Sequence, residues 1–497
     1  MDVKLVERVK DIGRLKSVSA LLDWDQETYM PAGGVAARAE QYALIETLAH
    51  QKLVSEETRT LLERAEGTVD ADDFVAETIV RETRRSYDRA AKLPAELVRE
   101  IAHTSSLAKD AWAKARAESR FADLSPWLTK LIDLKKQVAE RIGYAAEPYD
   151  ALMDEFEPGA TAANVDPVFR ELREKTVPLL NRVMTARPGP DPAILDRHYP
   201  RDRQEKICRR MAEAIGFDFH SGREDVSVHP FCMTIGGPGD VRITTRYLKN
   251  FLPAALFGTL HECGHALYEQ GLPKEHVFTP MAEAASLGIH ESQSRMWENL
   301  VGRSRAFWKY HYAHVESLFP EALRDESLDS FHGAINAVRP SFIRVEADEL
   351  TYNLHIILRF ELERAMIRGD LRVGDIPAAW NEKFTRMFGI TPENDAQGCL
   401  QDIHWSMGAF GYFPTYTLGN LYAAQFFAQA RQDIHGLDDR IAANDHAALL
   451  GWLRERIHRH GKRFRPGELV QRVTAKPLSI EAFVGYITKK VEAIYSI

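Results

Sequence analysis

Apolar positions recur at three- and four-residue intervals through most of the chain, the spacing of one buried helix face. The pattern predicts helices over roughly 1–22, 36–65, 71–87, 94–118, 124–142, 161–185 and 201–216. Ala, Leu, Glu, Arg and Lys fill these stretches, all good helix formers. No fixed-period repeat is visible. One proline-rich break, Arg187-Pro188-Gly189-Pro190-Asp191-Pro192, marks a candidate subdomain joint near 187–200. It is too short for a flexible linker, so the chain is read as a single unit over 1–497. Length alone would allow about three domains.

The period changes in one place. Val226 to Ile235 is rich in β-branched and aromatic residues, and Gly236-Gly237-Pro238-Gly239 reads as a turn. Val241-Arg242-Ile243-Thr244-Thr245-Arg246-Tyr247 then alternates apolar and polar. A short hairpin is expected. Its open edge could pair with an extended peptide, or it could simply cap a helical bundle.

Directly after it comes an apolar helix. Pro253 suits a first helical turn, where its missing N–H costs nothing, and Gly271 and Pro273 suit the stop. Inside lies His261-Glu262-Cys263-Gly264-His265. Residues four apart share a helix face, so His261 and His265 can grip one metal ion. Glu262, about 100° round the helix, can reach a water there without being a ligand. Two imidazoles suit zinc, and the carboxylate can take the water's proton. His-Glu-x-x-His is the signature of zinc-dependent peptidases.

Composition narrows the alternatives. The 497 residues are 45% hydrophobic and 27% charged, ordinary for a soluble globular chain. A net charge of −8 with no basic run argues against nucleic acid. Cys208, Cys232, Cys263 and Cys399 have no paired spacing and read as reduced thiols. The N-terminal residues lack an apolar signal-type core, and no stretch reaches the ~18 apolar residues that span a bilayer. A cytoplasmic protein without membrane attachment is expected.

A catalytic zinc needs a third protein ligand and an open position. Glu269 lies one turn beyond His265, too far along the axis to close the site. Glu291, on an expected helix around Gly288 to Trp297, is the favoured candidate, with His290 and Glu283 as rivals. His290 could instead orient a ligand or sit in the core.

Further strings occur in order along the chain: Leu22 to Pro31, His229-Pro230-Phe231, Asp240 to Thr244, His290-Glu291-Ser292-Gln293, Ile343 to Asp348, and Gly398-Cys399-Leu400-Gln401-Asp402-Ile403-His404-Trp405. With the His261–His265 motif, this ordered set resembles the thermostable, Thermus-type carboxypeptidases, metallopeptidase family M32. The resemblance implies a mainly α fold: a large, grooved, zincin-type helical metallopeptidase of neurolysin-like architecture, with a small sheet beside the active-site helix. It implies metal ligands His261, His265 and Glu291 and a general base at Glu262. The cofactor would be zinc, with cobalt a possible substitute. The activity would be removal of single residues from free peptide C-termini, with broad specificity and proline disfavoured, in a homodimer.

Other roles can be assigned. His404, in the last matched string, and Tyr416, beyond that string, are candidates to hold the oxyanion, and Asp402 to orient a ligand or His404. A C-terminal carboxylate is best read by a planar arginine fork, for which Arg344 and Arg242 are candidates. Arg344 could instead pair with Asp348 at i+4, and Arg242 with Asp240. The same chemistry also serves a metallo-oligopeptidase or peptidyl-dipeptidase. A non-catalytic helical protein with structural zinc is the alternative from another class, but it has no use for Glu262.

Overall fold

A computed structural model describes residues 2–70, 72–186 and 189–497. Met1, Ala71, Arg187 and Pro188, at the starts of two expected helices and of the proline-rich break, lie outside the described residues. The described residues are mainly helical and include one three-stranded sheet. Its chain divides into two compact units. The first holds Met1–Ala91, Asp191–Ile335 and Ala423–Pro477; the second holds Lys92–Pro190, Asn336–Tyr422 and Leu478–Ile497. No helix among the described residues is long and apolar enough to cross a membrane.

In the first unit, α1 (Val3–Thr28) starts where the Asp2 side chain accepts the Lys4 N–H at 2.9 Å. The expected helix over 36–65 is two helices, α2 (Val35–Leu53) and Glu56–Glu66. Ser55 separates them by capping the second: its Oγ accepts the Thr58 N–H at 3.2 Å. Helix α3 (Arg201–Ile215) ends on Gly216, which takes the left-handed conformation of a C-cap.

The expected hairpin is present, shorter and extended by a strand that the sequence pattern did not reveal. Strand β2 (Cys232–Thr234) pairs antiparallel with β3 (Val241–Thr245), and β1 (Gly222–Val226) pairs parallel with the other side of β3. Residues 227–231 form no strand. There Ser227 Oγ donates to the His229 carbonyl at 2.7 Å, and Pro230 has no N–H to give to a ladder.

Helix α4 (Leu252–Gly271) packs on α3, on the sheet and on α5 (Leu287–Arg295). Pro253 lies in its first turn and Gly271 is its last residue. Gly271 serves close packing rather than a turn: a Cβ there would lie 2.4 Å from the His458 ring. Gly264 has the same role against α5. A Cβ on it would lie 2.6 Å from the Gln293 carbonyl oxygen and 2.6 Å from Ser294 Cα. Only a glycine lets the two backbones approach so closely. Past α5 the chain widens into a π-type turn, Met296–Val301, a feature common at functional sites.

The second unit is built around α6 (Tyr352–Arg368), which packs on helices Ser125–Ile142, Pro148–Phe156, Ala162–Thr185 and Ile376–Phe388. Two charged residues on α6, Arg359 and Glu363, are fully buried. Glu363 accepts hydrogen bonds from Tyr149 Oη at 2.7 Å, Trp405 Nε1 at 2.9 Å and the Gly411 N–H at 2.9 Å. A buried carboxyl group is tolerated where it is hydrogen-bonded in this way.

Candidate metal centre

The close approach of α4 and α5 brings three donor atoms together. His261 Nε2 and His265 Nε2 lie 3.7 and 3.4 Å from Glu291 Oε2. All three donors fall within 4.8 Å of one another. Tetrahedral zinc with bonds of about 2.0–2.1 Å sets its donors about 3.3–3.4 Å apart. The trio therefore fits a metal with little rearrangement. Glu283, a rival for the third ligand, is ion-paired with Lys462 instead.

The other sides of these ligands are occupied. His261 Nδ1 is 2.9 Å from Glu298 Oε2. Glu298 in turn accepts from Arg295 Nη1 at 3.2 Å and faces Arg303 at 3.6 Å. His265 Nδ1 is 2.5 Å from His290 Nδ1, and His290 Nε2 is 2.9 Å from Glu269 Oε1. Glu291 Oε1 accepts from Arg295 Nε at 2.7 Å, and Oε2 from Ser294 Oγ at 3.1 Å. Each histidine thus turns Nε2 toward Glu291, the arrangement in which the far nitrogen fixes tautomer and aim.

Charge is distributed unevenly here. Burial opposes a charged His261, but Glu291, Glu298 and Glu262 outweigh it and lift its pKa to about 9. Burial, together with His290 and His261, holds His265 down to about 3. Burial raises the Glu291 pKa, but Arg295 and His261 pull it well below the usual range. The metal-free site therefore keeps a proton on His261 that an incoming cation must displace, so metal affinity rises with pH. Glu262, beside the trio, is 7% exposed and takes no hydrogen bond from any described residue. Burial lifts its pKa to about 7, as does Glu291, while His261 works the other way.

Four further sequence candidates, Arg344, Asp402, His404 and Tyr416, cluster in the second unit. Arg344 is 6% exposed and gives Nε and Nη2 to Asp402 Oδ1, at 3.1 and 2.8 Å, and Nη1 to Tyr352 Oη at 2.9 Å. Arg359 Nε donates to Asp402 Oδ2 at 2.7 Å. Two buried guanidinium groups thus share one carboxylate. Burial acts to raise the Asp402 pKa, but Arg344 and Arg359 hold it well below the ordinary range. His404 Nε2 is 3.3 Å from Tyr416 Oη, and its Nδ1 is 4.0 Å from Asp402. Burial pushes the His404 pKa to about 4, leaving the ring neutral at pH 7.

The considered Arg344–Asp348 helical pair does not form. Arg344 stands in a single 3-10 turn, Arg344–Glu346, and Asp348 instead accepts the N–H groups of Arg339, Leu350 and Thr351. The Arg242–Asp240 pair does form, bidentate at 2.8 and 2.8 Å, with the guanidinium 4.3 Å over the Trp24 ring.

The profile of the Carboxypeptidase Taq (M32) metallopeptidase family matches residues 4–491. The chain belongs to this family. It is 46% identical to thermostable carboxypeptidase 1 of Thermus thermophilus, over 99% of this chain and 98% of that one. It is 38% identical to carboxypeptidase 1 of Bacillus subtilis, over 98% and 97%. The crystal structure of the M32 carboxypeptidase from Deinococcus radiodurans R1 superposes with a TM-score of 0.97, at 40% identity over 99% of both chains. The M32 chain is accordingly a metal-dependent peptide hydrolase of the carboxypeptidase type.

Several residues of the two clusters in this M32 chain, one in each unit, carry no sequence motif of their own. Glu298 and Arg295 continue the α5 stripe from Glu291 at intervals of three and four, which is the only local signal for them. Glu269, set aside as a ligand on distance, is the partner of His290. Arg359 pairs with a carboxylate 43 residues away, and no spacing rule finds it.

Proposed function

We propose that the protein removes single residues from free peptide C-termini, with His261, His265 and Glu291 holding zinc and Glu262 serving as general base. Cobalt is a workable substitute for the same donors. The observation that carries this reading is the convergence of two imidazole Nε2 atoms and a carboxylate within 4.8 Å, beside a buried carboxylate with no hydrogen-bond partner among the described residues. Bound zinc supplies Lewis acidity toward water and the scissile carbonyl.

The chain's own residues do the rest. Glu262 accepts the attacking water's proton and passes it to the leaving amine. Burial works against its charged form, which suits a group that takes up a proton and then releases it. His404 and Tyr416 are assigned to the oxyanion. A neutral His404 and a phenol both donate hydrogen bonds, which supports the role. Arg344 is assigned to the substrate's C-terminal carboxylate, supported by the excess positive charge of Arg344 and Arg359 over Asp402. Arg242 already serves Asp240 and Trp24, which favours a structural role in the hairpin. Broad specificity, discrimination against C-terminal proline, a homodimer, a cytoplasmic location and a neurolysin-like zincin architecture complete the reading.

One short peptide with a free or an amidated C-terminus tests it, with products read by mass. Stepwise loss of single residues from the free form alone is expected, and metal stripping should abolish it. Equal cleavage of the amidated form would make the protein an endo- or oligopeptidase instead, and release of dipeptides a peptidyl-dipeptidase.

A further inference from the structure

We propose that His290 and Glu269 are positioning residues that fix the tautomer and aim of His265, through a hydrogen-bonded chain Thr234–Glu269–His290–His265. The proposal rests on the reading of His261, His265 and Glu291 as metal ligands. Thr234 Oγ1, on β2, donates to Glu269 Oε2 at 2.8 Å. Glu269 Oε1 is 2.9 Å from His290 Nε2, and His290 Nδ1 is 2.5 Å from His265 Nδ1. The two imidazole planes lie 25° apart, with ring centroids 4.4 Å apart.

The proton positions of this chain follow from the ligand reading. A neutral imidazole that ligates a metal through Nε2 carries its one ring hydrogen on Nδ1. His265 Nδ1 then donates across the short contact to His290 Nδ1, and His290 Nε2 donates to Glu269 Oε1. The lone pair of His265 Nε2 faces Glu291 Oε2 at 3.4 Å. The chain favours the tautomer that the metal needs, anchored on a carboxylate two residues removed from the ligand.

The two histidine ligands are thus held by different means. His261 leans directly on the Glu298 carboxylate, which arginines steady. His265 leans on a second imidazole, and its carboxylate stands one ring further back. Simple packing is the competing role for His290, since its ring also lies 5.6 Å from that of Tyr268. A phenyl ring would keep such packing and lose both hydrogen bonds.

That difference sets the experiment. His290→Phe keeps the ring and removes the chain. His290→Asn keeps an acceptor where Nδ1 stood. Glu269→Gln keeps an acceptor but removes the charge. Zinc affinity is measured by competition with a chromogenic chelator, the Co(II) absorption spectrum reports ligand geometry, and melting of the metal-free forms reports folding. His290→Phe should lose about 10–100-fold in zinc affinity and alter the cobalt spectrum, with metal-free melting close to wild type. His290→Asn should recover most of the affinity, and Glu269→Gln should fall between. Wild-type affinity in His290→Phe overturns the proposal. So do equal losses in the Phe and Asn variants that track a lowered metal-free melting temperature. Failure of the wild-type chain to bind one zinc, or unchanged binding in His261→Ala, overturns the ligand reading itself and is distinguishable from both.

Discussion

Gly264 occupies one of the two variable positions of the His-Glu-x-x-His motif, and Gly264→Ala should damage the metal centre without touching a ligand. The added Cβ would sit 2.6 Å from both the Gln293 carbonyl oxygen and Ser294 Cα. Non-bonded carbon contacts settle near 3.5–4.0 Å, so the α5 backbone must retreat by about 1 Å. Glu291 lies two residues upstream on that backbone. Metal–ligand distances tolerate only about 0.2 Å, so a shift of this size takes Glu291 out of bonding range.

Overpacking costs about 1–3 kcal/mol, and alanine returns up to about 1 kcal/mol of helix propensity. Metal-free Gly264→Ala should therefore be destabilised by about 0–3 kcal/mol, while zinc affinity falls by about 100-fold, the upper end of what loss of an orienting partner costs. Gly258→Ala, on the same helix, is the control. Its Cβ meets nothing closer than Thr245 Oγ1 at 3.8 Å, so it should gain up to about 1 kcal/mol and bind zinc normally. Chelator competition and denaturant melts of both variants decide it. A Gly264→Ala protein that behaves like Gly258→Ala would refute the claim that this glycine sets the α4–α5 distance.

Three further outcomes are expected. Glu298→Gln should weaken zinc binding by about 10-fold or more, because His261 loses its anionic partner; titration with the chelator checks it. Asp402→Asn should destabilise the protein by about 3–5 kcal/mol, because it leaves Arg344 and Arg359 buried without a counter-charge; equilibrium denaturation at pH 7 checks it. Buried His311 and His446 have pKa values held down to about 3 and about 4, in each case chiefly by burial. A histidine whose folded pKa is depressed contributes stability above its unfolded pKa of about 6.5 and loses it as pH falls toward the folded value. His446→Phe should therefore lose less stability than wild type between pH 6.5 and 4.5, by about 1–2 kcal/mol in metal-free protein; denaturant melts across that range measure the difference.

How much of this was readable in the chain depended on range. His261, Glu262 and His265 are local, so helical periodicity alone placed the two histidines on one face and Glu262 about 100° round from His261. The third ligand required a return of 26 residues from His265, and spacing left Glu291, His290 and Glu283 in competition. Packing separates them: Glu283 meets Lys462, His290 turns its two nitrogens to His265 and Glu269, and Glu291 reaches both histidines. Most expected helices appear within a few residues of their reading, because their apolar stripes are long. The helix over 36–65 was misread because Ser55 interrupts a continuous stripe with a cap. Strand β1, Gly-Arg-Glu-Asp-Val, has no alternation to detect and owes its existence to parallel pairing with β3. The role of Gly264 was hidden because its reason lies in another helix.

Zinc content and turnover measured together on Glu262→Gln give the most direct test of the site. The substitution keeps the shape and removes the proton acceptor, while His261, His265 and Glu291 are untouched. The expected result is one zinc per chain at wild-type affinity, with kcat for a free-C-terminus peptide lowered by about 10²–10⁴-fold. Turnover close to wild type would contradict the assignment of the general base, and loss of the zinc would contradict the assignment of the ligands.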